Sequence, residues 1–127
     1  MQYSKLGKTG ITVSRICLGC MSYGDKKWRD WVLTMDEARE HFAAAIESGI
    51  NFYDTANVYS VGASEEVTGR WLGEMAKRDE IVVATKVHGP MASGLNRAGL
   101  SQVVSHLLGR GEAARRRGPW LCLARTG

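Results

Sequence analysis

Thr34-Met35-Asp36-Glu37-Ala38-Arg39-Glu40-His41-Phe42-Ala43-Ala44-Ala45-Ile46-Glu47-Ser48-Gly49-Ile50-Asn51-Phe52-Tyr53-Asp54 contains a complete helix and the strand that follows it. Thr34 with Glu37 three residues on forms a capping box, which satisfies backbone donors that a helix start leaves unpaired. Ala38, Phe42, Ala45 and Ile46 share one apolar face, and Gly49 can end the helix in a left-handed conformation. Ile50 to Asp54 is then a short run without alternation. Upstream, Arg15-Ile16-Cys17-Leu18-Gly19 is a similar run ending in glycine. Downstream, a second helix is expected from Ser64 as N-cap, with Val67, Trp71 and Met75 on one face and Lys77 and Arg78 at its negative end. Ile81-Val82-Val83-Ala84-Thr85-Lys86-Val87 follows as a third strand. Apolar strands alternating with helices imply a parallel sheet covered by helices, the α/β class. Before all of these, Gln2 to Leu6 and Ile11 to Val13 flank Gly7-Lys8-Thr9-Gly10 as an antiparallel hairpin.

The chain has 127 residues, 44% of them hydrophobic and 24% charged, as expected for one globular domain. The net charge of +4 points towards nucleic acid only until it is located. Residues 1–109 hold twelve basic and twelve acidic side chains, whereas residues 110–127 hold five Arg and only Glu112. The body is neutral and no nucleic-acid partner is expected; Arg115-Arg116-Arg117 reads as a solvated run. Three cysteines and the absence of an apolar leader or span point to reduced thiols, a cytoplasmic location and no membrane. After Val87 the chain turns irregular through Gly94, and Ser101 is expected to cap a third helix through Leu108. Residues 109–127 show neither period and are not assigned to the fold.

In parallel α/β proteins chemistry collects at the C-terminal ends of the strands. Asp54 closes one strand, Tyr59 lies in the loop beyond it, and Lys86 stands near the end of the next. Neighbouring strands lie about 4.8 Å apart, so Asp54 and Lys86 come within ion-pair range, and a lysine inside an apolar strand needs such a partner. An ammonium beside a phenol favours the phenolate, which makes the phenol a better proton donor to a carbonyl oxygen. A plainer reading stays open: Asp54 capping its own turn, Tyr59 an ordinary loop aromatic, and Lys86 turned to solvent.

At these residues the chain resembles the aldo-keto reductases. Gly49 to Ser60 is similar to the family segment that carries the catalytic Asp and Tyr, and Ala84-Thr85-Lys86-Val87 to its Lys strand. Ser64-Glu65-Glu66 with Gly69-Arg70-Trp71-Leu72 resembles the helix between them, and Leu6 to Ser14 the hairpin that closes the barrel bottom. Leu18-Gly19-Cys20-Met21 resembles the loop that touches the nicotinamide. The resemblance covers residues 1–101 and implies a TIM-type (β/α)₈ barrel that reduces aldehydes or ketones with NADPH. It makes Tyr59 the proton donor, Lys86 its tuning group and Asp54 the anchor of Lys86; Gly19, Cys20, Met21 and Asp54 become cofactor contacts.

Such a barrel needs about 250 residues, and the resemblance further implies a His in a context like Asp-Leu-Tyr-x-x-His; this chain supplies neither. Neither His88 nor His106 has that context. The expectation is therefore that residues 1–108 are the N-terminal part of a barrel, with a tail from a shifted reading frame or a truncated gene. Alone, the chain is expected to be inactive, a non-catalytic binding module or a non-functional fragment, and to associate or aggregate through its open strand edges.

Three weaker signals are set aside. Cys17 and Cys20 form a lone C-x-x-C with no second pair for zinc, and Cys17 reads as a core residue. Gly7-Lys8-Thr9 lacks the upstream glycine of a phosphate loop. Trp28 and Trp31 fit either a substrate wall or packing of their own loop.

Overall fold

The computed structural model describes residues 1–87, Met91 and the pair Cys122–Leu123. The irregular stretch at 88–94 other than Met91, the helix expected from Ser101 and the rest of the tail lie outside the described residues.

β1 (Tyr3–Lys5) and β2 (Thr12–Ser14) form the expected antiparallel hairpin, whose turn uses Gly7 and Gly10 at φ +55° and +79°. β3 (Leu18–Gly19), β4 (Phe52–Asp54) and β5 (Val82–Thr85) lie side by side in parallel, with α1 (Met35–Glu47) and α2 (Ala63–Met75) as crossovers. β6 (Cys122–Leu123) adds to β5 in the antiparallel sense. A strand edge presents unpaired backbone donors and acceptors, and two extended residues suffice to bond that of β5.

The register divides the sheet by face. Leu18, Tyr53 and Val83 stand in one row and pack with Phe42, Val67, Trp71 and Leu72 under the helices. Gly19, Asp54 and Ala84 form the adjacent row, whose side chains alternate to the opposite face. Tyr53 is fully buried, stacks on Phe42 and donates its hydroxyl to the carbonyl of Ile50 at 2.7 Å. Trp71 ties the helices together by donating its indole N–H to the Met35 carbonyl at 2.8 Å. Among the described residues no helix is long and apolar enough to cross a membrane.

α1 keeps to its sequence signals, with Thr34 as N-cap and Gly49 beyond its end at φ +81°. The start of α2 does not: its N-cap is Gly62, at φ +98°, and Ser64 stands inside the first turn. The Ser64 hydroxyl is spent on other elements, as described below, and so is not available to cap. Lys77 and Arg78 fall beyond the helix, where Lys77 pairs with Glu80 at 3.0 Å. Cys17, expected in the core, is exposed, whereas Cys20 is fully buried. A turn of 3₁₀ helix over Cys20–Ser22 begins after β3 and directs Cys20 into the core.

At the start of α1, the Glu37 carboxylate receives the Lys26 ammonium at 2.6 Å and the Thr34 backbone N–H at 2.8 Å. These bonds hold its pKa down at about 2, led by that to Lys26. A depressed carboxylate stabilises the fold above its ordinary pKa, and that contribution is lost as protons bind. Thermal melts should therefore show stability falling as pH drops from near 4.5 towards 2, more weakly at high salt. Glu37→Gln should remove this component, and an unchanged pH profile in the variant would contradict the assignment.

Candidate active site

Lys86 stands one residue past the end of β5 and two residues beyond Ala84, the register partner of Asp54 at the end of β4, so its side chain shares the face of Asp54. Its ammonium reaches both oxygens of Asp54, at 2.8 and 2.7 Å, the Thr55 carbonyl at 2.9 Å and the Tyr59 hydroxyl at 3.3 Å. The structure thus brings together the three residues singled out in the sequence. The Lys86 and Asp54 side chains are only 22% and 33% exposed, so this is a part-buried pair rather than a surface bridge. Desolvation of the ammonium by itself pulls its pKa down. The hydrogen bonds to Asp54 and Tyr59, with the Asp54 charge, outweigh it, and the Lys86 pKa ends above its ordinary value. An ammonium can only donate, so the Tyr59 oxygen accepts from Lys86 and its own O–H is left to point elsewhere.

The loop between Asp54 and Tyr59 is held to the same strand. Thr55 donates its backbone N–H to the Ala84 carbonyl at 2.8 Å, and Asn57 donates to that of Lys86 at 3.0 Å. The parallel ladder therefore continues past β4 and carries Tyr59 to the lysine. Under this ladder lies a buried polar hub that the sequence did not disclose. Ser64 donates to the Cys20 carbonyl at 2.6 Å, and its hydroxyl meets that of Thr55 at 3.1 Å. One side chain of α2 thereby joins the loops that follow β3 and β4. Its neighbour Glu65 accepts the Thr85 hydroxyl, beside Lys86. A serine just before two glutamates carries the same signal whether it caps or bridges, so the sequence could not separate these roles.

Gly19, paired in register with Asp54, is exposed and has open space where a Cβ would stand, and Met21 is 42% exposed. Cys20 between them turns inward, and burial pushes its thiol up to about 11. Gly19 and Met21 thus stay open to solvent beside Asp54, while the Cys20 side chain faces the core. Trp28 and Trp31 meet edge to face with ring centres 6.0 Å apart, and Trp31 remains half exposed. Among the described residues no cluster of His, Cys, Asp or Glu suits a metal. The one described histidine, His41, bonds the Tyr23 hydroxyl at 3.2 Å.

The family model for the aldo/keto reductase family matches residues 15–112, more than half of the chain. Versiconal hemiacetal acetate reductase of Aspergillus parasiticus is 37% identical over 120 residues, covering 80% of this chain and 35% of its own length. An aldo-keto reductase of Alternaria alternata is 44% identical over 85 residues, covering 66% and 23%. Among solved structures, the holo form of an aldo-keto reductase from Bacillus halodurans superimposes with a TM-score of 0.61 at 32% identity, over 77% of this chain and 30% of that one. The chain belongs to the aldo/keto reductase family, and its parallel sheet with crossover helices is part of a TIM barrel. It spans about a third or less of the length of the curated relatives it matches.

Replacing Ser64, which is fully buried, by alanine leaves the Cys20 carbonyl and the Thr55 hydroxyl short of a partner. Ser64→Ala should lower unfolding stability by about 1–3 kcal/mol, read from urea midpoints. A loss below about 0.5 kcal/mol, the level of an ordinary surface change, would mean that the hub does not bind the loops together.

Proposed function

We propose that this chain carries the proton-handling part of an NADPH-dependent reductase of small aldehydes or ketones. The observation that supports it is the single ammonium of Lys86 shared between Asp54 and the Tyr59 hydroxyl. Asp54 keeps Lys86 charged in a part-buried setting. Lys86 donates to the Tyr59 oxygen, which orients the phenolic O–H outward and stabilises the phenolate that forms once the proton leaves. Tyr59 then delivers that proton to the carbonyl oxygen as it gains negative charge. A bound reduced nicotinamide would supply the hydride, with Gly19, Met21 and Asp54 as the residues of this chain that would hold its ring. The aldo-keto reductase relatives support this use of a nicotinamide.

In the same reading the 127-residue chain does not turn over carbonyl substrates alone. His41, already engaged by Tyr23, offers no further group to the substrate oxygen. The free thiols of Cys17 and Cys20 are in keeping with a cytoplasmic setting. The edge of β3 away from β4 has no partner among the described strands, which supports association of copies.

A chimera tests the assignment in a complete barrel. Residues 1–87 would replace the matching segment of versiconal hemiacetal acetate reductase, and NADPH oxidation would be followed with a small aromatic aldehyde. The chimera should turn over, and Tyr59→Phe should lower kcat at least about 100-fold, the scale of a lost general acid. Unchanged turnover in the Phe variant would refute the role of Tyr59.

A further inference from the structure

Immediately after Tyr59, two residues with side chains adopt left-handed backbone conformations: Ser60 at φ +50°, ψ +32° and Val61 at φ +54°, ψ +42°. L-residues rarely adopt this region, and a β-branched one least of all, so something must hold the pair there. Val61 is 60% exposed and does not do it by packing. Ser60 is buried, at 5% exposure. Its hydroxyl accepts the Asp25 backbone N–H at 2.9 Å and donates to the Asp25 carbonyl at 3.3 Å. A Cβ on the preceding residue, Gly24, would stand 2.4 Å from the Ser60 Cβ, so only glycine permits this approach. Gly24 in turn donates its N–H to the Leu33 carbonyl at 2.8 Å, which anchors the seat to the base of the Trp28 and Trp31 loop.

The geometry points to Ser60 as a positioning residue for Tyr59. Seated on the Gly24-Asp25 backbone, it keeps the chain left-handed just past Tyr59 and so holds the phenol against Lys86. Strain kept in place by its surroundings is a recurrent feature of sites that fix one side chain. Two consequences follow. Tyr59 loses its fixed distance from Lys86 when the Ser60 hydroxyl is removed, and the tryptophan loop cannot shift without moving Tyr59. This inference rests on the proposed pairing of Tyr59 with Lys86, and its test separates the two.

The 127-residue chain would be labelled with 3-fluorotyrosine, and the Tyr59 fluorine resonance assigned by its loss in Tyr59→Phe. Lys86→Met should shift that resonance in the parent; if it does not, the pairing itself fails. In a Ser60→Ala background the shift caused by Lys86→Met should shrink at least about three-fold, the signature of lost coupling in a double-mutant cycle. The Tyr53 resonance, from the core, should stay in place and so exclude general unfolding. Should Ser60→Ala fail to fold, Ser60→Gly removes the same hydroxyl while relieving the left-handed strain, and the same loss is expected. A response to Lys86→Met that shrinks less than this in either folded variant would overturn the role of Ser60.

Discussion

The Lys86 ammonium cannot remain in an apolar sheet without a counter-charge, and among the described residues the carboxylate bonded to it is that of Asp54, across the β4–β5 ladder. A separation of 2.7 Å requires the observed register, in which Asp54 faces Ala84 and Lys86 follows on the same face, because slipping one strand by a residue would turn one side chain to the opposite face. The ion pair and the hydrophobic row of Leu18, Tyr53 and Val83 therefore demand the same register. Charge on one face and packing on the other agree, which is the consistency that marks a sequence specifying one structure.

The two ends of the sheet are secured by different means. At the N-terminal end of β4, Asn51 accepts the Ser14 N–H at 2.7 Å and donates to the Thr12 carbonyl at 3.2 Å, while Tyr3 bonds the Gly49 carbonyl. The hairpin is docked there by polar contacts, well away from Asp54 at the other end of the strand. At the C-terminal end, Ser64 and Glu65 from the first turn of α2 bond Cys20 just past β3, Thr55 just past β4 and Thr85 at the end of β5. The helix beneath the site thus supports the positions of Asp54 and Lys86 through bonds to the residues beside them.

What was legible in the sequence depended on whether its signal was local. Thr34 with Glu37, the face of Phe42, and the Gly7 and Gly10 turn each speak within a few residues, and each element formed where expected. Asp54, Tyr59 and Lys86 were legible because strand ends in this fold class converge and because an embedded lysine advertises its need for a partner. Ser64 was misplaced because its partners, Cys20 and Thr55, come from other elements. The inward turn of Cys20 was hidden for a similar reason, since a 3₁₀ turn after a two-residue strand has no periodic signature. Nor could φ at Ser60 and Val61 be read from residues that ordinarily avoid positive values.

The proposed proton delivery by Tyr59 requires that Asp54 govern the charge of Lys86. Carbon-13 resonances of ε-labelled lysine, titrated in the parent chain and in Asp54→Asn, measure this directly. Lys86 should titrate above the ordinary lysine value of 10.5 in the parent, and should move down in the variant, where burial of the ammonium is no longer offset. A Lys86 that titrates at its ordinary value and is indifferent to Asp54 would contradict the account.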